Sequence, residues 1–296
     1  MKTQNNTPST TLVCGCDEFA EKLAYWEKRV SDKEAKMAEL SLHLQDIKNG
    51  LAGFMGLYNS RVGIHYIKLA KLDLEINMYL YRLQEIKKNG ATADSLKKIE
   101  NEIEKEFGER LKKLLKREQE TQQSSNEYRK SLSDRERREM LSEDMQTKIR
   151  DMYRFLALKF HPDKAKNETE AGIFTDIMAA INEAYAKGDI GMLVIFMEKA
   201  ERDEKIKTET PEEKLARLQK EDDELYRMLQ KLYKEREEIF TSDAWKLKIR
   251  VDEAAELGEP DLLAELTRRA INEIKQKQEE LDELVDAYKK AIQVKS

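Results

Sequence analysis

The sequence contains few of the residues that interrupt helices and few of those that fill compact cores. Its 296 residues include 4 prolines and 11 glycines, and aromatic residues make up 7% of the chain. So little Pro and Gly allows few turns, and so few rings leave little bulk for a globular core. These shortages argue against two compact globules, although the length alone would allow them. With 38% charged residues, the composition is typical of long helices and coiled coils.

Long apolar runs are also missing. No stretch of about 18 apolar residues occurs, so we expect no membrane-spanning helix. The first residues, MKTQNNTPSTTL, are polar and contain no apolar signal core. We therefore expect residues 1–16 to form a disordered tail and the protein to be cytoplasmic.

The sequence also has few cysteines and histidines, and neither sign of charge is in large excess. The net charge is −5, and the 54 basic and 59 acidic side chains are interleaved, which disfavours nucleic acid and membrane surfaces as partners. A structural zinc site needs four ligands, whereas Cys14 and Cys16 form a single pair and the three histidines are far apart. We interpret the cysteines as ordinary thiols and expect no metal or other cofactor.

Apolar residues recur at helical spacing over residues 17–130, which predicts an N-terminal helical coiled-coil arm. Its first helix is predicted to start near Asp17 and end at Asn49-Gly50, and its second to end at Asn89-Gly90. Between them, GLAGFMG is interpreted as a turn that folds the two helices into an antiparallel hairpin; tight helix packing on the glycines is the rival interpretation. A third helix starts near Asp94 and fades into a segment that is either a solvated helix or a linker.

Capping signals divide the rest of the chain into a module at 133–200 and a C-terminal coiled-coil hairpin at 208–296. Ser133–Glu136, SDRE, reads as a capping box that opens the next helix. Thr210, with Pro211 and Glu213, is a second start signal. We expect a short helix from Ser242 to Gly258 and a last helix capped by Asp261, which folds back on the helix after Thr210.

The predicted fold class is therefore all-α, with long antiparallel coiled-coil helical hairpins flanking a small helical module. The apolar stripes of the hairpins are either their own cores or, in addition, a seam for a homodimer or a docking surface.

The central module contains YRFLALKFHPDK, residues 153–164. The residue before a proline is pushed out of the α region, so His161 should end this helix and Pro162 should fix the turn. Asp163 is expected to bind backbone amides two residues on. The result would be a rigid, exposed corner. The following helix should end at Gly188, and Asp189 should cap a third one, whose Leu193, Phe196 and Met197 cover the base of the pair.

IRDMYRFLALKFHPDK, a loop and then INEAY occur here in order, and this combination resembles the J domain of DnaJ-type co-chaperones. The resemblance covers about 50 of the 296 residues, from Ile149 to Phe196. It implies binding of a DnaK-type heat-shock chaperone in its ATP state and stimulation of ATP hydrolysis by that partner.

The resemblance assigns roles to individual residues. His161, Pro162 and Asp163 would form the stimulating loop, and Asp163 would accept hydrogen bonds from a partner arginine. Arg150 and Arg154 would be docking cations, supported by Lys148, Lys159 and Lys164. The core of the module would contain Tyr153, Leu156, Phe160, Ile181, Ala184 and Tyr185.

The chain departs from the J-domain pattern in three places. DRERREMLSEDMQ lacks the signature of the short first helix, so either the second helix is extended backward or another element supplies the packing. Asp151 and Phe155 take places that are often basic. Neither a Gly/Phe-rich linker nor a four-cysteine zinc module is present. The arms would instead bind a client or scaffold protein. No enzyme signature occurs, and the alternative is a structural coiled-coil interaction protein whose J-like module no longer stimulates a chaperone.

Overall fold

The computed structural model describes residues 14–202 and 209–293, without the side chains of residues 14–17, 133, 135, 137, 139, 201 and 202. Over these ranges the regular structure is entirely helical, which confirms the all-α class. The helices are α1 (Cys14–Tyr58), a π-helical turn (Asn59–Gly63), α2 (Ile64–Asn89), α3 (Ala93–Glu139), α4 (Glu143–Lys159), a 3₁₀ turn (Pro162–Lys164), α5 (Glu168–Lys187), α6 (Ile190–Arg202), α7 (Pro211–Thr241), α8 (Asp243–Glu256) and α9 (Leu262–Gln293). None of the described helices is long and apolar enough to cross a bilayer.

The predicted turn at the glycines of residues 50–56 is wrong. Helix α1 continues through it to Tyr58, and Gly50 does not adopt the left-handed conformation of a C-cap. The rival interpretation is correct, because a Cβ atom on Gly56 would lie 2.4 Å from Cβ of Tyr128 in α3. Glycine at this position therefore lets two helices approach closely. The predicted hairpin between the first two stripes does not form, because they belong to one nearly continuous helical run.

The π-helical turn is the only interruption between α1 and α2. It accommodates one extra residue per turn, and its Val62 is fully buried. The backbone carbonyl of Arg61 in this turn accepts a hydrogen bond from Thr267 Oγ1 of α9 at 3.0 Å. A carbonyl in the irregular turn is thus satisfied by a side chain from another helix.

The chain forms two compact units, and each combines two separated stretches of sequence. The first contains the described parts of Met1–Asn49 and Asp134–Thr241, and the second contains Gly50–Ser133 and the described part of Ser242–Ser296. The sequence predicted consecutive domains at 17–130, 133–200 and 208–296. In the structure, the stretches of the two units alternate along the chain. Of the predicted tail at 1–16, residues 14–16 belong to α1, and the remainder lies outside the described residues.

The first unit has two apolar clusters. One joins α4, α5 and α6 and includes Leu42 of α1. The other joins α1 to α7, with Val30, Met37 and Leu44 packed among Leu225 and Leu229. The long helices α1 and α7 thus pack against each other, and α1 also reaches the core of the central helices.

The second unit is built around α2. One face of α2 packs on α9, with Leu69, Leu72 and Ile76 against Ala270, Ile274 and Leu281. Another cluster joins α2 to α3 and includes Leu74, Ile86, Ile99 and Ile103. The sequence predicted that α9 folds back on α7, but the clusters place α9 against α2 and α7 against α1. A stripe of Leu and Ile defines a buried face without specifying the helix that covers it.

Several predicted helix ends are confirmed. Thr210 Oγ1 accepts from the Glu213 amide, and Glu213 in turn accepts from the Thr210 amide. Ser242 and Asp261 cap α8 and α9. The predicted start at Asp17 is wrong, since α1 already includes Cys14, and the capping box at Ser133–Glu136 opens no helix, because α3 runs on to Glu139. A capping sequence inside a packed helix is overridden by the continuing helix.

Candidate functional site

The candidate site lies where α4 ends and the chain turns toward α5. Ser142 caps α4 and accepts a hydrogen bond from the Met145 amide. The negative charges of Glu143 and Asp144 in the first turn interact favourably with the positive end of the helix dipole. The helix then buries one stripe, which contains Ile149, Met152, Tyr153, Leu156 and Ala157. Helix α4 begins at Glu143 and is separate from α3, which ends at Glu139. The interpretation that this helix extends backward is therefore wrong.

The end of α4 follows from the proline. Phe160 is the buried C-cap residue, and its amide donates to the Leu156 carbonyl at 2.9 Å. His161 is extended, with φ −61° and ψ 128°, as expected before Pro162. Pro162–Lys164 then form a single 3₁₀ turn. We call residues His161–Lys164 the bend.

The bend is fixed by short-range hydrogen bonds. His161 Nδ1 accepts from the Asp163 amide at 3.2 Å, and the amides of Lys164 and Ala165 donate to the carbonyls of His161 and Pro162. The imidazole therefore acts as an acceptor at Nδ1, which leaves Nε2 to carry the proton of the neutral ring. Asn167 next caps α5 by accepting from the Glu170 amide at 2.9 Å.

The structure corrects the expected role of the Asp163 side chain. The sequence predicted that this carboxylate binds backbone amides two residues further on. Instead, Asp163 Oδ2 lies 2.6 Å from Lys231 Nζ of α7, and the Asp163 side chain retains 29% of its accessible surface. The backbone turn is held by His161 and by main-chain bonds, so the carboxylate does not have to cap it.

Helices α4 and α5 run antiparallel, with matched pairs along their length. Tyr153 donates to Asn182 Oδ1 at 2.9 Å, and its ring lies 4.6 Å from that of Tyr185. Phe160 meets Phe174 edge to face near the bend. All six side chains assigned to the core by the resemblance are buried: Tyr153, Leu156, Phe160, Ile181, Ala184 and Tyr185.

Residues of α1 and α3 also pack against this core. The Arg138 guanidinium, at the end of α3, lies 4.5 Å from the centre of the Tyr185 ring. Leu42 of α1 enters the core, and the Tyr185 hydroxyl donates to Asp46 Oδ1 at 2.8 Å. Burial, followed by this hydrogen bond, raises the pKa of Tyr185 to about 12. Leu193, Phe196 and Met197 of α6 cover the base, as predicted.

The predicted docking cations do not form one uniform surface. Lys148 and Arg150 are exposed near the start of α4. Arg154 is paired with Asp151 at 2.8 Å, and the Lys159 ammonium lies 5.6 Å from the centre of the Phe155 ring. Lys164 Nζ lies 3.2 Å from Glu34 Oε1 of α1. Asp151 therefore offsets one of the positive charges on the exposed face of the helix.

His161 is only partly buried, and it lines a cavity of about 300 Å³ within the first unit. The other walls come from α1, α5 and α7 and include Leu44, Leu232 and Glu235. Burial lowers the pKa of His161 below 6.5, and the nearby Lys231 and Lys164 charges lower it further, although Asp163 and Glu235 act in the opposite direction. The ring is consequently held neutral at pH 7.

Sequence reasoning missed Lys231 and Glu34 as neighbours of the bend. Each is separated from its partner by a long stretch of chain, and both lie on helices rich in Lys and Glu. No local pattern distinguishes them from other surface charges. The side chains of Cys14 and Cys16 lie outside the described residues, so their interpretation as ordinary thiols stays a prediction.

Comparisons of the chain with protein-family models, with curated proteins and with solved structures gave no match.

Proposed function

We propose that this protein is a J-domain co-chaperone that binds a DnaK-type heat-shock chaperone and stimulates its ATP hydrolysis through His161, Pro162 and Asp163. One observation carries the proposal: the His-Pro-Asp tripeptide forms the bend between two antiparallel helices whose aromatic and aliphatic contacts hold it in a defined conformation. The Asp163 carboxylate is partly exposed, so it could accept hydrogen bonds from a partner arginine that displaces Lys231.

The exposed cations of α4 would provide the first attraction to the chaperone. Lys148 and Arg150 project into solvent, and Arg154 and Lys159 extend the basic character along the helix. Such charges raise association rates more than they raise affinity, and salt weakens their effect. The long helices of the two units would bind a client or scaffold protein, which places the chaperone at a chosen location, and the cytoplasm is the expected compartment.

A steady-state ATPase titration tests this proposal. Purified DnaK-type chaperone is mixed with increasing amounts of the wild-type protein, of His161→Gln and of His43→Gln. The last variant is a matched control, because it makes the same change at an exposed histidine of α1. We expect severalfold stimulation by the wild type and the control and none by His161→Gln. Absence of stimulation by the wild type, or equal stimulation by all three, would reject the proposal for the chaperone tested.

A second candidate function is a structural interaction protein in which the α4–α5 pair is only a packing element. The observation that favours it is the ion pair between Asp163 and Lys231, which occupies the carboxylate that a chaperone would need. This alternative predicts that His161→Gln has no effect in cells, whereas Ile274→Asp, which places a charge in the buried face of α9, is damaging. The opposite pattern would favour the co-chaperone.

A further inference from the structure

The bend is held on two sides by helices outside the α4–α5 pair. Asp163 Oδ2 lies 2.6 Å from Lys231 Nζ of α7, and Lys164 Nζ lies 3.2 Å from Glu34 Oε1 of α1. The two ion pairs are made by consecutive residues of opposite charge, and each connects the bend to a different helix. The two contacts therefore require two separate side chains.

Apolar packing brings α1 and α7 to the bend. Leu158, three residues before His161, packs against the apolar cluster that joins α1 to α7. On the neighbouring side, Leu44 of α1 and Leu232 of α7 line the cavity next to His161 and Pro162. Lys48 and Glu235, on the same two helices, are paired at 2.6 Å across this region. The bend thus faces a wall made by two helices that are linked to each other.

This arrangement competes with the contacts that the proposed function requires. A partner arginine that approaches Asp163 meets a carboxylate already neutralised by Lys231. His161 is partly buried and lines the cavity together with residues of α1 and α7. A partner would therefore have to displace Lys231 and separate the bend from α7 before it could bind His161, Pro162 and Asp163.

We propose that α1 and α7 form an intramolecular clamp on the bend, which must open before a chaperone can reach His161 and Asp163. This inference rests on the proposed function for its biological meaning, whereas the clamp itself is a property of the protein alone. The Lys231 side chain is 68% exposed, so its ion pair is screened by water and shifts the opening equilibrium by about two- to fivefold. This pair is one of two ion pairs that hold the bend, the other being Lys164 with Glu34.

Charge reversals on the clamp helices test the proposal without changing the tripeptide. Lys231→Glu places a repulsive charge next to Asp163, and Glu34→Lys does the same next to Lys164. Lys234→Glu is the matched control, since Lys234 also lies on α7, is 80% exposed and pairs with Glu238 along its own helix. Circular dichroism and thermal unfolding verify that the variants remain folded.

The first measurement is the rate at which diethyl pyrocarbonate modifies His161, followed by mass spectrometry, with His43 and His65 as internal references. We expect the Lys231→Glu, Glu34→Lys double variant to react severalfold faster at His161 than the wild type, and Lys234→Glu to react at the wild-type rate. Combining Glu34→Lys with Lys164→Glu restores this ion pair with its charges exchanged, so His161 should react more slowly than in Glu34→Lys alone and close to the wild-type rate. If His161 of the Lys231→Glu, Glu34→Lys variant reacts at the wild-type rate, the clamp is overturned.

The second measurement is the concentration that gives half-maximal stimulation of the chaperone ATPase. We expect it to fall about two- to tenfold in the double variant and to stay constant in Lys234→Glu, and we expect His161→Gln to abolish stimulation in either background. Stimulation that is identical for the wild type and the double variant would leave the co-chaperone function standing and reject the clamp. Faster labelling without stimulation by any variant would support the clamp and reject the co-chaperone function.

Discussion

Arg29 of α1 donates from Nε to Oδ1 of Asp222 on α7 at 2.8 Å, although the Asp222 side chain is only 3% exposed. Lys33, one turn further along α1, lies at 2.8 Å from the same oxygen and also donates to the Asp222 carbonyl. A buried carboxylate is tolerated here because two cations satisfy it. The contact fixes the register of α1 on α7, and these two helices form the wall of the bend.

We expect Asp222→Asn to lower the free energy of unfolding by about 1–3 kcal/mol. The substitution leaves two cations without their counter-charge, but Arg29 is nearly half exposed, so water offsets part of the loss. Urea unfolding followed by circular dichroism measures the change. Asp223→Asn is the control, because Asp223 is the exposed neighbour on the same helix, and an equal loss in both variants would contradict the assigned role of Asp222.

The stabilising effect of Asp222 should depend on pH. Burial raises the pKa of Asp222, but hydrogen bonds from Arg29 and Lys33 outweigh burial and hold it below 3.8. The unfolded chain therefore takes up the proton first as the pH falls, which favours unfolding. The stabilisation is fully present above about pH 5 and is lost as the pH falls through 3.8 and below. The difference in unfolding free energy between the wild type and Asp222→Asn should shrink over that range, and a constant difference would count against this reasoning.

His161 should titrate below 6.5 in the folded protein. Its pKa is lowered chiefly by burial, so the unfolded state binds the proton more readily, and this group contributes destabilisation as the pH falls below 6.5. The imidazole signals in a two-dimensional NMR titration give the value directly, and His161→Gln assigns the resonance. Lys231→Glu should move the titration of His161 upward, because it removes a nearby positive charge and opens the bend. A His161 pKa at or above 6.5 in the wild type would contradict the inference that burial lowers the pKa of this ring.

Gly56 provides a test of close helix packing in the second unit. We expect Gly56→Ala to destabilise the protein by about 1–3 kcal/mol, because its new methyl group would overlap Tyr128. Gly108→Ala, in α3, is the matched control: apart from its own stretch of helix backbone, nothing lies within 4 Å of its Cβ position. There the change should stabilise by up to about 1 kcal/mol through helix propensity. Opposite signs in thermal unfolding support the packing role, and two stabilising changes would refute it.

The pairing of α9 with α2 can be tested on the buried face of α9. Ile274 is 8% exposed and packs in the cluster that contains Leu72 and Ile76 of α2. Ile274→Asp should destabilise by about 3–5 kcal/mol, because it buries a charge without a partner and removes apolar contacts. Ile271→Asp, at a position 37% exposed on the same helix, should cost far less. A similar loss at both positions would show that the face has been assigned incorrectly.

Most helix ends of the central module were predictable because their causes are local. Pro162 restricts His161, Gly188 supplies a left-handed residue, and Asp189 has a short side chain that caps the next turn. The predicted turn at residues 50–56 and the predicted helix start at 133–136 are wrong for the opposite reason. Glycines and capping residues occur there too, but the packing of Gly56 on Tyr128 and the length of α3 keep the chain helical. Local signals permit an end, and tertiary contacts decide whether it is used.

The sequence by itself determined that the chain is helical, where its buried stripes lie and that the chain bends at His161-Pro162-Asp163, because propensity, periodicity and proline stereochemistry act over a few residues. Only the tertiary structure decided which helices pair, which stretches of sequence make up each unit and that Lys231 and Glu34 reach the bend. Those choices depend on the fit between faces far apart in the chain, and a stripe of Leu and Ile or a run of Lys and Glu is compatible with many partners. The neighbours of Asp163 therefore became visible only in three dimensions.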